Sequence, residues 1–209
     1  LAGQLVLGFA AGIYMAVTRT PVGSFGLALL EAGSFFVVVP FIRARLRTRI
    51  LPLFRGREPS LAVYGCIVLV VAGVVPAFAV LDALLNSLVR LPDFLRALDV
   101  LLLTPNDRVG ALVLACLAAP VFEETLFRGV MLKGVAATSG TARGLLVVSA
   151  LFAVVHINPL AFPATFLIGL LLGIVCLRTG SLVASIVMHG LYNAGAIALA
   201  WLPGKPLDA

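Results

Sequence analysis

Seven apolar runs divide this chain, covering Leu5 to Val17, Val22 to Ile42, Leu61 to Leu81, Val109 to Phe122, Leu145 to Ile157, Leu160 to Leu177 and Leu182 to Leu202. A backbone placed in hydrocarbon must satisfy its own hydrogen bonds, which leaves only helices and closed barrels open to such runs. Leu, Ala and Gly dominate them, and the residue-by-residue alternation of a transmembrane barrel is missing. Composition agrees. Of 209 residues, 62% are hydrophobic and 11% charged, and the mean hydropathy of +1.16 is far from that of a soluble domain. Since a spanning helix needs roughly 20 residues, the expected fold is all-α: a polytopic transmembrane bundle of seven or eight helices with an intramembrane polar cavity.

Charge placement orients this bundle. Arg43, Arg45, Arg47, Arg49, Arg55 and Arg57 form a run with no acid before Glu58, and short basic loops of this kind stay cytoplasmic. The net charge of +6 is thereby explained by topology, with no nucleic-acid partner implied. Between Asp82 and Thr104, polar residues Asp82, Asn86, Arg90, Asp93, Arg96 and Asp99 recur every three or four positions among leucines. That pattern predicts an amphipathic helix in the membrane interface, broken near Pro92. The apolar start at Leu1 has no basic segment before it, so no cleavable signal sequence is expected. Cys66, Cys116 and Cys176 lie in apolar runs without CxxC spacing and read as small buried hydrophobes.

Three polar spacings interrupt the later runs, and ionisable groups are costly enough in hydrocarbon to mark a functional site. In Glu123-Glu124-Thr125-Leu126-Phe127-Arg128, a helix puts Glu124 and Arg128 on one face at i and i+4, where carboxylate and guanidinium pair. Glu123 points about 100° away and is left for another task, such as that of a base in a poorly hydrated cavity. Phe152 and His156 repeat the i, i+4 spacing ahead of Asn158-Pro159, with Phe152 as a wall for the imidazole. His189 and Asn193, again at i and i+4, are two hydrogen-bond donors of the kind a developing oxyanion requires. Only these two histidines occur in the chain.

A geometrical tension accompanies this reading. If Arg128 marks the cytoplasmic surface, Glu123 sits near that surface while His156 lies about 20 Å along the next helix. The two meet only if the helix bearing Glu123 continues past Gly129, kinked near Pro120, with Arg128 turned inward, or if the His156 helix stops partway and is broken at Pro159.

Taken in order, Glu-Glu-x-x-x-Arg, Phe-x-x-x-His and His-x-x-x-Asn resemble the CAAX protease and bacteriocin-processing family of intramembrane endopeptidases, which includes the Ras-converting type of prenyl-protein endopeptidase. The resemblance divides the chain into residues 1–106, holding N-terminal transmembrane helices, the basic loop and the interfacial helix, and residues 107–209, a catalytic core within the same bundle. It implies that Glu123, helped by His156, activates water for attack on a peptide carbonyl. By the same analogy His189 and Asn193 hold the oxyanion, and Glu124, Arg128 and Phe152 support the site.

Metal chemistry is the main alternative within the enzyme class, because Glu123, His156 and His189 include both histidines and a zinc site with an open position needs such a set. No His-Glu-x-x-His spacing exists, and Asn193 suits an oxyanion better than zinc, so a metal-free glutamate mechanism with no cofactor is favoured. Ser181 and Ser185 precede His189 at helical spacing, yet small hydroxyl residues in that pattern usually pack helices. A non-enzymatic alternative is a bacteriocin self-immunity factor or a proton-coupled transporter. The expected partners are the lipid bilayer and a membrane-tethered protein or peptide. Thirteen arginines against two lysines fit a GC-rich genome and a bacterial cytoplasmic membrane.

Overall fold

The computed structural model describes residues 58–89, 108–156 and 158–202, and all regular structure among them is helical. The first two apolar runs, the arginine loop and most of the expected interfacial segment lie outside the described residues, and so does part of the expected total of seven or eight helices. Five helices are described: α1 (Leu61–Leu88), α2 (Arg108–Ser139), α3 (Thr141–Val154), α4 (Phe162–Thr179) and α5 (Leu182–Ala200). All but α3 are long and apolar enough to cross a membrane.

Helix α1 buries only Ile67 and Val71, while Leu69 and Val80 are 74% and 69% exposed. In a bilayer such a face meets lipid, where exposed apolar side chains carry no penalty. One expected boundary moves. Asp82 and Asn86 were assigned to an interfacial helix, but α1 runs on through Leu88, with the Asn86 amide donating to the Asp82 carbonyl at 2.8 Å.

Helix α2 continues well past Gly129, to Ser139, and carries Arg128 inward at 1% exposure. It is interrupted by two π-helical stretches, Leu114–Ala118 and Thr125–Leu132. Such stretches redirect the side chains that follow and recur at functional sites. The hairpin into α3 turns at Gly140, whose φ of 85° costs a glycine little. Gly144 then packs so near α2 that a Cβ there would lie 2.9 Å from the Ala136 nitrogen.

Helix α3 has 14 residues, about 21 Å at 1.5 Å each, short of the roughly 30 Å hydrocarbon core. It stops because Pro159 follows and because the Asn158 carboxamide oxygen accepts from the Leu160 and Ala161 N–H groups, at 3.0 and 3.2 Å, turning the chain into α4. Both resolutions of the tension therefore operate together. Glu123 lies 16 residues before Ser139 and His156 lies 15 after Thr141, so the two sit about 24 and 22 Å from the hairpin and share one level.

Helix α4 returns antiparallel to α3, with Gly169 against Phe152 and Ser149 and Gly173 against Leu145. It ends at Gly180, in the left-handed region with φ of 65°, whose N–H donates to the Cys176 carbonyl at 3.0 Å. Ser181 then caps α5, its hydroxyl accepting from Ala184 N–H at 3.2 Å. Phe127, Phe152, Leu172, Val148 and Met188 form the core these helices share. His189, eight residues past the Ser181 cap, lies about 12 Å along α5.

Candidate active site

Glu124 is fully buried, and its carboxylate is held by donors from two helices. Oε1 accepts from Arg128 Nη1 at 2.7 Å and from His189 Nδ1 at 3.0 Å, while Oε2 accepts from the Ser185 hydroxyl. Arg128 spends a second N–H on the Gly169 carbonyl of α4 at 2.9 Å. Its guanidinium lies over the Phe152 ring, 4.4 Å from the centroid. The expected i, i+4 pair is thus present, and it ties α2 to α4 and α5. Ion pairing in so dry a place is tolerable only because most remaining donors and acceptors are also engaged.

Its neighbour Glu123 is treated differently. Glu123 Oε2 is shut away from solvent and has no hydrogen-bond partner among the described residues, with His189 Nε2 3.9 Å away. Because Glu124 accepts at Nδ1, that nitrogen of His189 carries the proton, and Nε2 is the nitrogen facing Glu123. Two adjacent carboxylates are thus held unequally: Glu124 by three donors, Glu123 Oε2 by no hydrogen bond among the described residues.

His156 shows the same economy. The last turn of α3 tightens, with His156 N–H donating to the Ala153 carbonyl at 3.3 Å rather than to Phe152. The released Phe152 carbonyl accepts from His156 Nδ1 at 2.7 Å. Nε2 makes no hydrogen bond among the described residues, and the side chain is exposed at the end of the helix. Phe152 is the plate between the histidines, edge-on to His156 at 4.8 Å and to His189 at 5.7 Å, and itself braced by Phe127 at 5.2 Å. Helical spacing alone placed Phe152 beside one imidazole; the fold places it beside both.

Asn193 lies one turn beyond His189, and its carboxamide donates to the Ala115 carbonyl of α2 at 2.7 Å. One N–H of that group is therefore used within the protein, and the other makes no hydrogen bond among the described residues. Glu123, Glu124, Arg128, Phe152 and His189 are gathered into one contact network, with His156 joined to it through Phe152 and Asn193 through α5. Ser185 belongs to this network although its position before His189 suggested only packing; the available signal was its i−4 spacing on the histidine's own face. The Gly169 carbonyl, having no side chain, left no signal. For the zinc alternative, no group of three His, Cys, Asp or Glu side chains among the described residues is placed to hold a metal ion.

Neither curated proteins nor solved structures gave a match. Residues 105–195, the stretch that carries every side chain of this network, match the family model described as Type II CAAX prenyl endopeptidase Rce1-like.

Proposed function

We propose that the chain is an intramembrane endopeptidase, acting in a bacterial cytoplasmic membrane on a membrane-associated protein or peptide, with Glu123 as the base. The unequal hold on the two glutamates carries this reading: Glu124 accepts from Arg128, His189 and Ser185, whereas Glu123 Oε2 accepts from none of them. In the proposed step, Glu123 takes a proton from water as the water oxygen bonds to the peptide carbonyl carbon, and the carbonyl electron pair moves onto oxygen. His156 Nε2, free because Nδ1 is committed, assists by accepting a hydrogen bond from the same water. The oxyanion is held by His189 through Nε2, a role that requires that nitrogen protonated, and by the second N–H of Asn193. Collapse breaks the C–N bond, and the proton held by Glu123 passes to the leaving amine.

The supporting experiment is cleavage by purified protein in liposomes of two tethered peptides, one carrying a prenylated C-terminal sequence of the kind named in the family description and one unprenylated. Glu123→Ala and His156→Ala are expected to lose cleavage of whichever is cut, and a chelator to leave wild-type cleavage intact. Wild-type rates in both variants would overturn the mechanism, and loss under chelator restored by zinc would overturn its metal-free form.

A further inference from the structure

The π-helical stretch before Glu123 leaves a backbone carbonyl without a donor. Ala119 N–H bonds to the Leu114 carbonyl, five residues back, instead of to Ala115. Ala115 would next turn to residue 120 for its i+5 donor, but that residue is Pro120, which has no N–H. A half-buried carbonyl in this position, on a helix long and apolar enough to cross a membrane, needs another partner. Asn193 supplies it, donating from Nδ2 at 2.7 Å.

The alternative backbone pattern has the opposite defect. In a straight α-helix Ala115 regains Ala119 as donor, and Cys116 becomes the carbonyl that faces Pro120. There α5 presents Gly190, so close that a Cβ would lie 2.5 Å from the Cys116 oxygen. The Ala115 and Cys116 carbonyls, one undonated in each register, thus meet two residues of α5, Asn193 that donates and Gly190 that makes room, four residues and one residue past His189. We infer that Asn193 has a task besides contact with substrate: it caps the Ala115 carbonyl that Pro120 cannot serve, selecting the bulged register and so positioning Glu123 and Glu124 against His189.

The test is a double-mutant cycle of Pro120→Ala and Asn193→Ala, read by unfolding in detergent without substrate. Alone, Asn193→Ala is expected to lower the folded-to-unfolded ratio roughly fivefold, the worth of one hydrogen bond. With Pro120→Ala present, the new N–H serves the carbonyl in either register, and most of that loss disappears. Equal losses in both backgrounds overturn the inference. Should Pro120→Ala fail to fold, exchange protection of the wild-type Asn193 side-chain amide decides: protection supports the cap and free exchange overturns it.

Turnover supplies the positioning readout. Asn193→Ala should lower kcat with KM changed by no more than about twofold and, without substrate, should shift the NMR signal of the His189 Nδ1 proton that faces Glu124; an unchanged kcat or an unchanged signal overturns the positioning clause. The activity arm rests on the protease reading and the unfolding arm does not, so an inactive wild type with a coupled cycle would sink that reading and leave the cap standing.

Discussion

Replacing Arg128 by Met tests whether the buried ion pair organises the site. Arg128 is 1% exposed and Glu124 is wholly buried. Arg128→Met removes the 2.7 Å contact to Glu124 and the 2.9 Å contact to Gly169, leaving a carboxylate with donors from His189 and Ser185 alone. Breaking a buried pair by removing one partner costs about 3–5 kcal/mol, a large share of the roughly 5–15 kcal/mol that stabilises a typical protein. Glu124→Gln should cost a similar amount by stranding the guanidinium. The double variant leaves no uncompensated charge, so its loss should fall well below the sum of the two. Unfolding in detergent, followed by circular dichroism, measures all three. An Arg128→Met protein within about 1 kcal/mol of wild type, or a strictly additive double variant, would refute the reasoning.

Three further substitutions probe the contacts around the pair. Gly190→Ala forces a Cβ to within 2.5 Å of the Cys116 carbonyl, so α5 must shift from α2 at a cost of about 1–3 kcal/mol; thermal unfolding and kcat should both fall, and a wild-type melting curve would contradict the close approach. Ser185→Ala removes the hydroxyl from Glu124 Oε2 and should cost about 1.5–3 kcal/mol of stability. Measurable residual cleavage is expected in that variant, whereas complete loss in a folded protein would point to a serine nucleophile. Phe152→Leu takes away the ring that touches both imidazoles and underlies Arg128; a loss of about 1–2 kcal/mol with kcat reduced more than KM is expected, and kinetics equal to wild type would show the plate to be idle.

Side-chain chemistry was readable from spacing, because i, i+4 pairs share a helix face whatever surrounds them. Glu124 with Arg128 emerged in this way, and so did the continuation of α2 past Gly129, since an inward Arg128 was the condition for Glu123 and His156 to share a level. Backbone irregularity was harder to read. Pro120 announced a kink, but the π-helical stretch at Leu114–Ala118 depends on which carbonyls α5 can satisfy, a matter of tertiary contact. The end of α1 was misjudged for a related reason: Asp82 and Asn86 form a polar pattern, yet a helix already begun continues when its polar groups bond along it. His189 was expected beside an oxyanion; its Nδ1 contact with Glu124 required knowledge of how α2 and α5 pack.

The most direct measurement is kcat for Glu123→Gln set beside its unfolding curve. Glu123 Oε2 has no hydrogen-bond partner among the described residues, with His189 Nε2 3.9 Å away, so the substitution should leave stability near wild type while removing the base and slowing peptide cleavage by about 10²–10⁴-fold. A Glu123→Gln protein that cleaves the tethered peptide at the wild-type rate would contradict the account.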